Sequence, residues 1–169
     1  TPSQNISANT WTHVVVAKSS GSTVKIYQNN VKIKEESLSY TAYAPAQLYI
    51  GNQGDNNNWF NGKIDEAALW NLELSASNVA SLYNSGNGAS ALTIQSGGLQ
   101  AYWKFDSVSG STASDSSGNN QNGTITNAVE SNDVPFADFP PPNAAPPFTS
   151  NGGGPTASVS AAENQTAVT

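Results

Sequence analysis

The chain has 169 residues, and only 11% of them are charged, against about 25% in ordinary globular domains. Twelve carboxylates face six lysines and no arginine, for a net charge of −6; no basic patch exists to hold phosphates, so nucleic acid is not an expected partner. No run approaches the roughly 18 apolar residues of a membrane span, so membrane insertion is not expected either, and the absence of cysteine leaves the redox compartment open.

In chain order, Trp11–Ala17 is dense in β-branched and aromatic residues. Its unbroken Val14-Val15-Val16 run predicts a central strand buried on both faces. Ser19-Ser20-Gly21-Ser22 reads as a turn. Val24 and Ile26, then Val31 and Ile33, alternate with polar residues around Asn29-Asn30. Alternation about a two-residue turn that tolerates positive φ is the signature of a β-hairpin. Further strands are expected at Gln47–Gly51 and Trp59–Trp70, the second interrupted by Gly62, with a polar loop at residues 54–58 between them. A short helix follows: Ser75 can cap it, Leu74 and Val79 can form a hydrophobic staple, and Gly86 stands just past its end. Ten residues are not helical alone in water, so this helix must pack against a sheet.

Residues 86–98 read as a linker. Leu99–Phe105 reads as a strand, and residues 115–123 form a long turn into Thr124–Thr126. Composition then shifts. Seven of the nine prolines fall between Pro135 and Pro155, with Gly152-Gly153-Gly154 among them, a stretch that cannot form a core. Ala157-Ser158-Val159-Ser160-Ala161 alternates again before the final residues to Thr169. The expected organisation is therefore a β-sandwich over residues 1–134, a Pro/Gly linker over 135–155 and an extension strand over 156–169. The first residue is Thr rather than Met, which fits a processed end or a window cut from a longer chain.

Residues 11–85 resemble the C-terminal half of laminin-G-like, concanavalin A-like jelly rolls. The resemblance is carried by Trp11-Thr-His-Val-Val-Val, Val24-Lys-Ile-Tyr-Gln-Asn-Asn and Leu48-Tyr-Ile-Gly. It continues in Phe60-Asn-Gly-Lys-Ile-Asp-Glu-Ala-Ala-Leu-Trp-Asn, then Leu74-Ser and a helix ending Leu82-Tyr-Asn. Residues 98–123 are similar to the opening strand and turn of the same family, but stand after the closing half. Ser158–Thr169 is similar to the first strand of cadherin-like repeats in bacterial surface proteins. The resemblance implies an all-β antiparallel sandwich, a jelly roll with one short helix. It also implies an extracellular or cell-surface setting.

Nothing in the residues points to catalysis. His13 is the lone histidine, there is no Gly-x-Ser-x-Gly elbow, and the Glu-x-Asp-x-x-Glu strand pattern of the fold's glycosidases is absent. Asp65 and Glu66, read as neighbours on one strand, are expected to point to opposite faces, so they cannot act as a glycosidase pair. No cofactor is required, although a structural calcium is one reading. Asp55, Asp65 and Asp115 are its candidate ligands, with Asn56, Asn57, Asp106 and Asn119 as further hard oxygens. The same sequences also make ordinary Asx turns.

Trp59 with Asn57 beside it could stack and hydrogen-bond a glycan, as could Tyr43, whereas Trp11, Trp70 and Trp103 fit core positions. Asn5, Asn122 and Asn164 each begin an N-glycosylation pattern. A jelly roll lacking its opening strands exposes edges that something must cover. Residues 98–126 could fill part of the gap, and the tail strand (Ala157, Val159, Ala161, Val168) could fill another. Two readings follow: a fibre or surface subunit whose C-terminal strand completes the next copy head-to-tail, or a glycan-binding, adhesive module excerpted from a larger bacterial surface or phage structural protein.

Overall fold

The computed structural model describes residues 5–39, 47–52, 58–131 and 135. The fold is mostly β, with two antiparallel sheets and one short helix. The first sheet runs β1 (Val14–Lys18), β2 (Thr23–Gln28) and β3 (Val31–Ser37), in that spatial order. Asn29 and Asn30 turn β2 into β3 with φ of 48° and 64°. Both central residues thus take the left-handed conformation that a tight hairpin demands and that Asn tolerates best after Gly. The Asn29 side chain also accepts a hydrogen bond from the His13 amide at 2.9 Å.

β1 differs from its expectation. It starts at Val14 rather than Trp11 and lies at the edge of its sheet. Val15 and Ala17 face inward, but Val14 is 46% and Val16 64% exposed. A triple valine suits a strand covered on both sides. Among the described residues, only one face of this sheet has a cover.

That cover is α1 (Ala76–Tyr83). The Ser75 side chain accepts from the Asn78 amide at 3.1 Å, and the Asn78 side chain accepts from the Ser75 amide at 3.1 Å. This reciprocal cap is worth about 1 kcal/mol. Leu74 and Val79 staple the entry, and with Leu82 they pack on Ala17 and Tyr27. Asn84, at φ 45°, supplies the left-handed C-cap in place of Gly86.

The second sheet has the order β4 (Ala67–Trp70), β5 (Leu99–Ser109), β6 (Thr112–Asp115), β7 (Gly123–Thr124). β4 pairs antiparallel with β5, Ala67 opposite Trp103 and Leu69 opposite Ala101. The late, opening-like strand therefore supplies the neighbour of the closing strand, as the gap-filling expectation required. β5 is covered on both faces from Ala101 to Lys104. Tyr102, fully buried, packs with Ala91 and Leu99, whereas Ala101 and Trp103 pack with Ala113 on the other side. Trp70 touches the core under α1 and the core around Tyr102, and so joins the two sheets.

Residues 86–98 are more than a linker, since their short turns bury Ala91 and pack Leu92 and Ile94. Conversely, no strand forms over 47–51, and the expected strand 59–70 is reduced to β4. The segments meet through one bridge, Asn52 to Trp59, and a 2.8 Å bond from the Phe60 amide to the Gly51 carbonyl. Gly62, where a Cβ would fall 2.7 Å from the Phe60 ring, and Glu66, at φ 54°, break the extended run.

Candidate functional site

Of the calcium candidates, Asp65, Asp106, Asp115 and Asn119 are described. Asp55 and Asn57 lie outside the described residues. Asp115 sits at the end of β6, and its two carboxylate oxygens are already engaged. Oδ1 accepts from the amides of Tyr102 at 2.9 Å and Ser117 at 2.8 Å; Oδ2 accepts from the Ser117 hydroxyl at 2.8 Å and the Gln121 amide at 2.9 Å. Partial burial works against the charge, but these amides prevail and hold the carboxyl below its ordinary value. The Asn119 side chain donates to the carbonyls of Leu99 and Gln100, each at 3.0 Å.

Residues 115–122 thus form a clip that ties β6 back onto β5, with the side-chain-to-backbone bonds of an Asx turn. Among the described residues, no three His, Asp or Glu side chains gather to hold a metal.

Asp65 and Glu66 correct an expectation. They precede β4 rather than lying on it, and the left-handed backbone at Glu66 removes the strand alternation that would send them apart. Both are half-buried and both interact with Asp106 from β5. Desolvation is the main cause that lifts Asp65 to about 6 and Glu66 to about 7, and it raises Asp106 as well. The Tyr102 hydroxyl donates to Glu66 and so favours its charge, and the buried Lys104 also favours it. Burial, then the Glu66 charge, push the Tyr102 phenol above its ordinary range. The three carboxyls are thus partly buried, with Glu66 engaged by Tyr102.

His13 likewise serves packing. Its ring lies 5.9 Å from that of Tyr83, its Nδ1 is buried with no hydrogen-bond partner among the described residues, and burial lowers its pKa.

The surface that does gather candidate residues is apolar. Trp59 is 48% exposed, with Tyr49 and Phe60 each 52% exposed on the segments joined by the Asn52–Trp59 bridge. Trp103 is buried, Trp70 mostly so, and Trp11 half-buried, as their contexts implied. Asn5 and Asn122 are exposed, though the Asn122 side-chain oxygen accepts the Asp115 amide at 2.9 Å. Tyr43, Asn164 and the tail strand (Ala157, Val159, Ala161, Val168) lie outside the described residues, as do the linker and extension, Pro135 excepted. No helix among the described residues is long and apolar enough to cross a membrane.

The feature that sequence reasoning missed is the outer face of β1, with Val14 and Val16 uncovered. Its only signal in the sequence is the valine run itself, which reads as doubly buried.

Residues 1–80 match the family model Laminin_G_3, described as the concanavalin A-like lectin/glucanases superfamily. The match covers just under half of the chain. The match contains the first sheet, β4 and the start of α1, whereas β5, β6 and β7 of the second sheet lie beyond it. Among solved structures, a crystal structure of an S-layer domain-containing protein from Clostridium thermocellum ATCC 27405 is 24% identical. The similarity covers 48% of this chain and 42% of that one, with a TM-score of 0.35. The chain therefore spans less than half of that structure's length. No curated relative matches the chain.

Proposed function

We propose that the protein is a non-catalytic structural module of an extracellular or cell-surface assembly, in which the C-terminal strand of one copy completes the sandwich of the next. The observation that carries this reading is the uncovered apolar edge and face of the first sheet, where Val14, Val16 and Val31 are 46%, 64% and 51% exposed. An apolar strand at a sheet edge is a template for another strand, and strand addition is an established mode of head-to-tail association. The laminin-G-like match supports the surface setting. The commitment of Glu66 to Tyr102 and of Asp115 to its own turn supports a non-catalytic role. The module takes no cofactor.

The test is the association state of the full chain with and without Val159→Pro, which removes a backbone donor from the tail strand. Concentration-dependent multimers by sedimentation velocity, lost in the variant, are the expected result. A full chain that stays monomeric, or multimers indifferent to the proline, overturns the reading.

A second reading has its own observation, the exposed Trp59 with Tyr49, Phe60 and the neighbouring asparagines. It is an adhesive module that stacks a glycan on Trp59, with Asn57, two positions earlier in the sequence, as a hydrogen-bonding candidate. A glycan array with and without EDTA, repeated for Trp59→Ala, tests it. Signal lost on substitution supports glycan stacking, and an empty array in both conditions refutes it.

A further inference from the structure

Of the four sheet edges, three are blunted. β3 carries Lys32, Lys34, Glu35 and Glu36, with Lys32 paired to Glu35 and Lys34 to Glu36 at 2.7 Å. Its ladder with β2 also shifts register between Ile26 and Tyr27. Charges and bulges are how edges avoid further pairing. β4 has only four residues, its ladder shifts between Leu69 and Trp70, and Glu66 turns the chain away just before it. β7 has two residues.

β1 shares none of these features. Its five pairs with β2 run from Val14↔Gln28 to Lys18↔Val24 without a bulge, and a single charge stands at its end. Among the described residues no strand pairs with its other side. On its open face Val14 and Val16 stand beside Gln28 and Ile26, so the unshielded apolar stripe runs up to the free edge.

Resting on the strand-donation reading above, we infer that β1 is the acceptor edge and that residues 157–161 of a second copy pair along it. The five residues Ala157-Ser158-Val159-Ser160-Ala161 equal β1 in length. They carry no charge to be buried and no proline to interrupt pairing. Their period of two places Ala157, Val159 and Ala161 on one face, alongside Val14 and Val16, and leaves the serines on the other. Small side chains there extend the valine stripe sideways and cap the edge. The chain between Pro135 and Ala157 is rich in proline, and extended proline-rich chain covers about 3.1 Å per residue, so the tail of one copy can reach the β1 of another.

The chain has no cysteine, so introduced thiols report on proximity without background. Two full-length variants are mixed and mildly oxidised, one carrying Val159→Cys and the other a cysteine at a single edge: Val16→Cys on β1, Lys34→Cys on β3 or Leu69→Cys on β4. All three edge positions are exposed, so none removes a core contact. Directly opposed strand residues lie within disulfide range, about 4.5–5.5 Å between Cα atoms.

The expected result is a cross-linked dimer on a denaturing gel for Val16→Cys with Val159→Cys, at least tenfold more abundant than for the other two pairs. A dominant product at Lys34→Cys or Leu69→Cys overturns β1 as the acceptor while leaving strand donation intact. So does the absence of any product from chains that still form multimers. Chains that form neither product nor multimers overturn the donation reading, and this inference with it.

Discussion

Glu66 is ionised with difficulty, and this predicts how stability varies with pH. Its carboxyl sits at about 7 in the folded chain against 4.5 in a free side chain, chiefly because burial removes water from the charge. A folded-state value above the unfolded one means that the native state binds more protons between those limits. Stability from this group is therefore complete below about pH 4.5 and is lost as pH rises through about 7. At about 1.4 kcal/mol per unit, the loss is about 3 kcal/mol. Asp65, more exposed and at about 6, acts in the same direction but is more strongly screened by solvent. Glu66→Gln keeps an oxygen to accept the Tyr102 hydroxyl and removes the charge. At pH 8 the variant should be more stable than the parent by about 3 kcal/mol, or about 10 °C in Tm for a domain of this size. At pH 4.5 the two should coincide. Urea unfolding at half-unit steps from pH 4.5 to 8.5 measures both curves. A parent curve flat across that range, or a variant with the same slope as the parent, refutes the argument.

Asp115→Ala strips four hydrogen bonds and leaves the Tyr102, Ser117 and Gln121 amides without their acceptor. A loss of about 3 kcal/mol or more is expected by urea unfolding, with faster amide exchange at Tyr102 and Gln121. Asn30→Val forces a β-branched residue to φ 64° and should cost about 1–2 kcal/mol, whereas Asn30→Gly should be neutral or mildly stabilising. Tyr102→Phe removes the donor that favours the Glu66 charge. It should move the titration of Glu66 upward, followed by carboxyl NMR, and a downward shift would show that the phenol contributes only burial. A circular permutant that opens the chain at Gly97, which has open space about its Cα, and joins residue 131 to residue 5 through a Gly/Ser linker should keep Trp103 shielded from an aqueous quencher.

The features legible in the sequence share one property: their physics is local. The paired asparagines announce the hairpin because few residues accept positive φ twice in succession. Ser75, with Leu74 and Val79, announces the helix start because cap and staple lie within five residues. What the sequence concealed depends on what lies across a sheet. Val14-Val15-Val16 reads as buried on both faces, and whether a cover exists is not written in the run itself. Asp65 and Glu66 read as strand neighbours until the backbone at Glu66 turns left-handed and both meet Asp106, which lies about forty positions later in the chain. Asp115 was visible as a hard oxygen donor. That its lone pairs belong to Tyr102, Ser117 and Gln121 depends on the docking of the turn against β5.

The pairing of β4 with β5 gives the last strand of the matched segment its neighbour. Trp70 at the end of β4 reaches the core under α1, but Ala67 and Ala68 offer little apolar surface of their own. Opposite them, β5 brings Trp103 and Tyr102, the two large side chains around which both faces of the second sheet are packed. The segment that resembles an opening strand thus does in space what an opening strand does, although it follows the closing strand in sequence, because an antiparallel neighbour is recognised by register and side-chain volume rather than by chain order. The same logic applies to the first sheet. Its inner face is satisfied by α1, a local neighbour, but no late segment among the described residues reaches its outer edge. One sheet of this protein is completed from within the described chain, and the free edge of the other is where the physical argument for a partner strand rests.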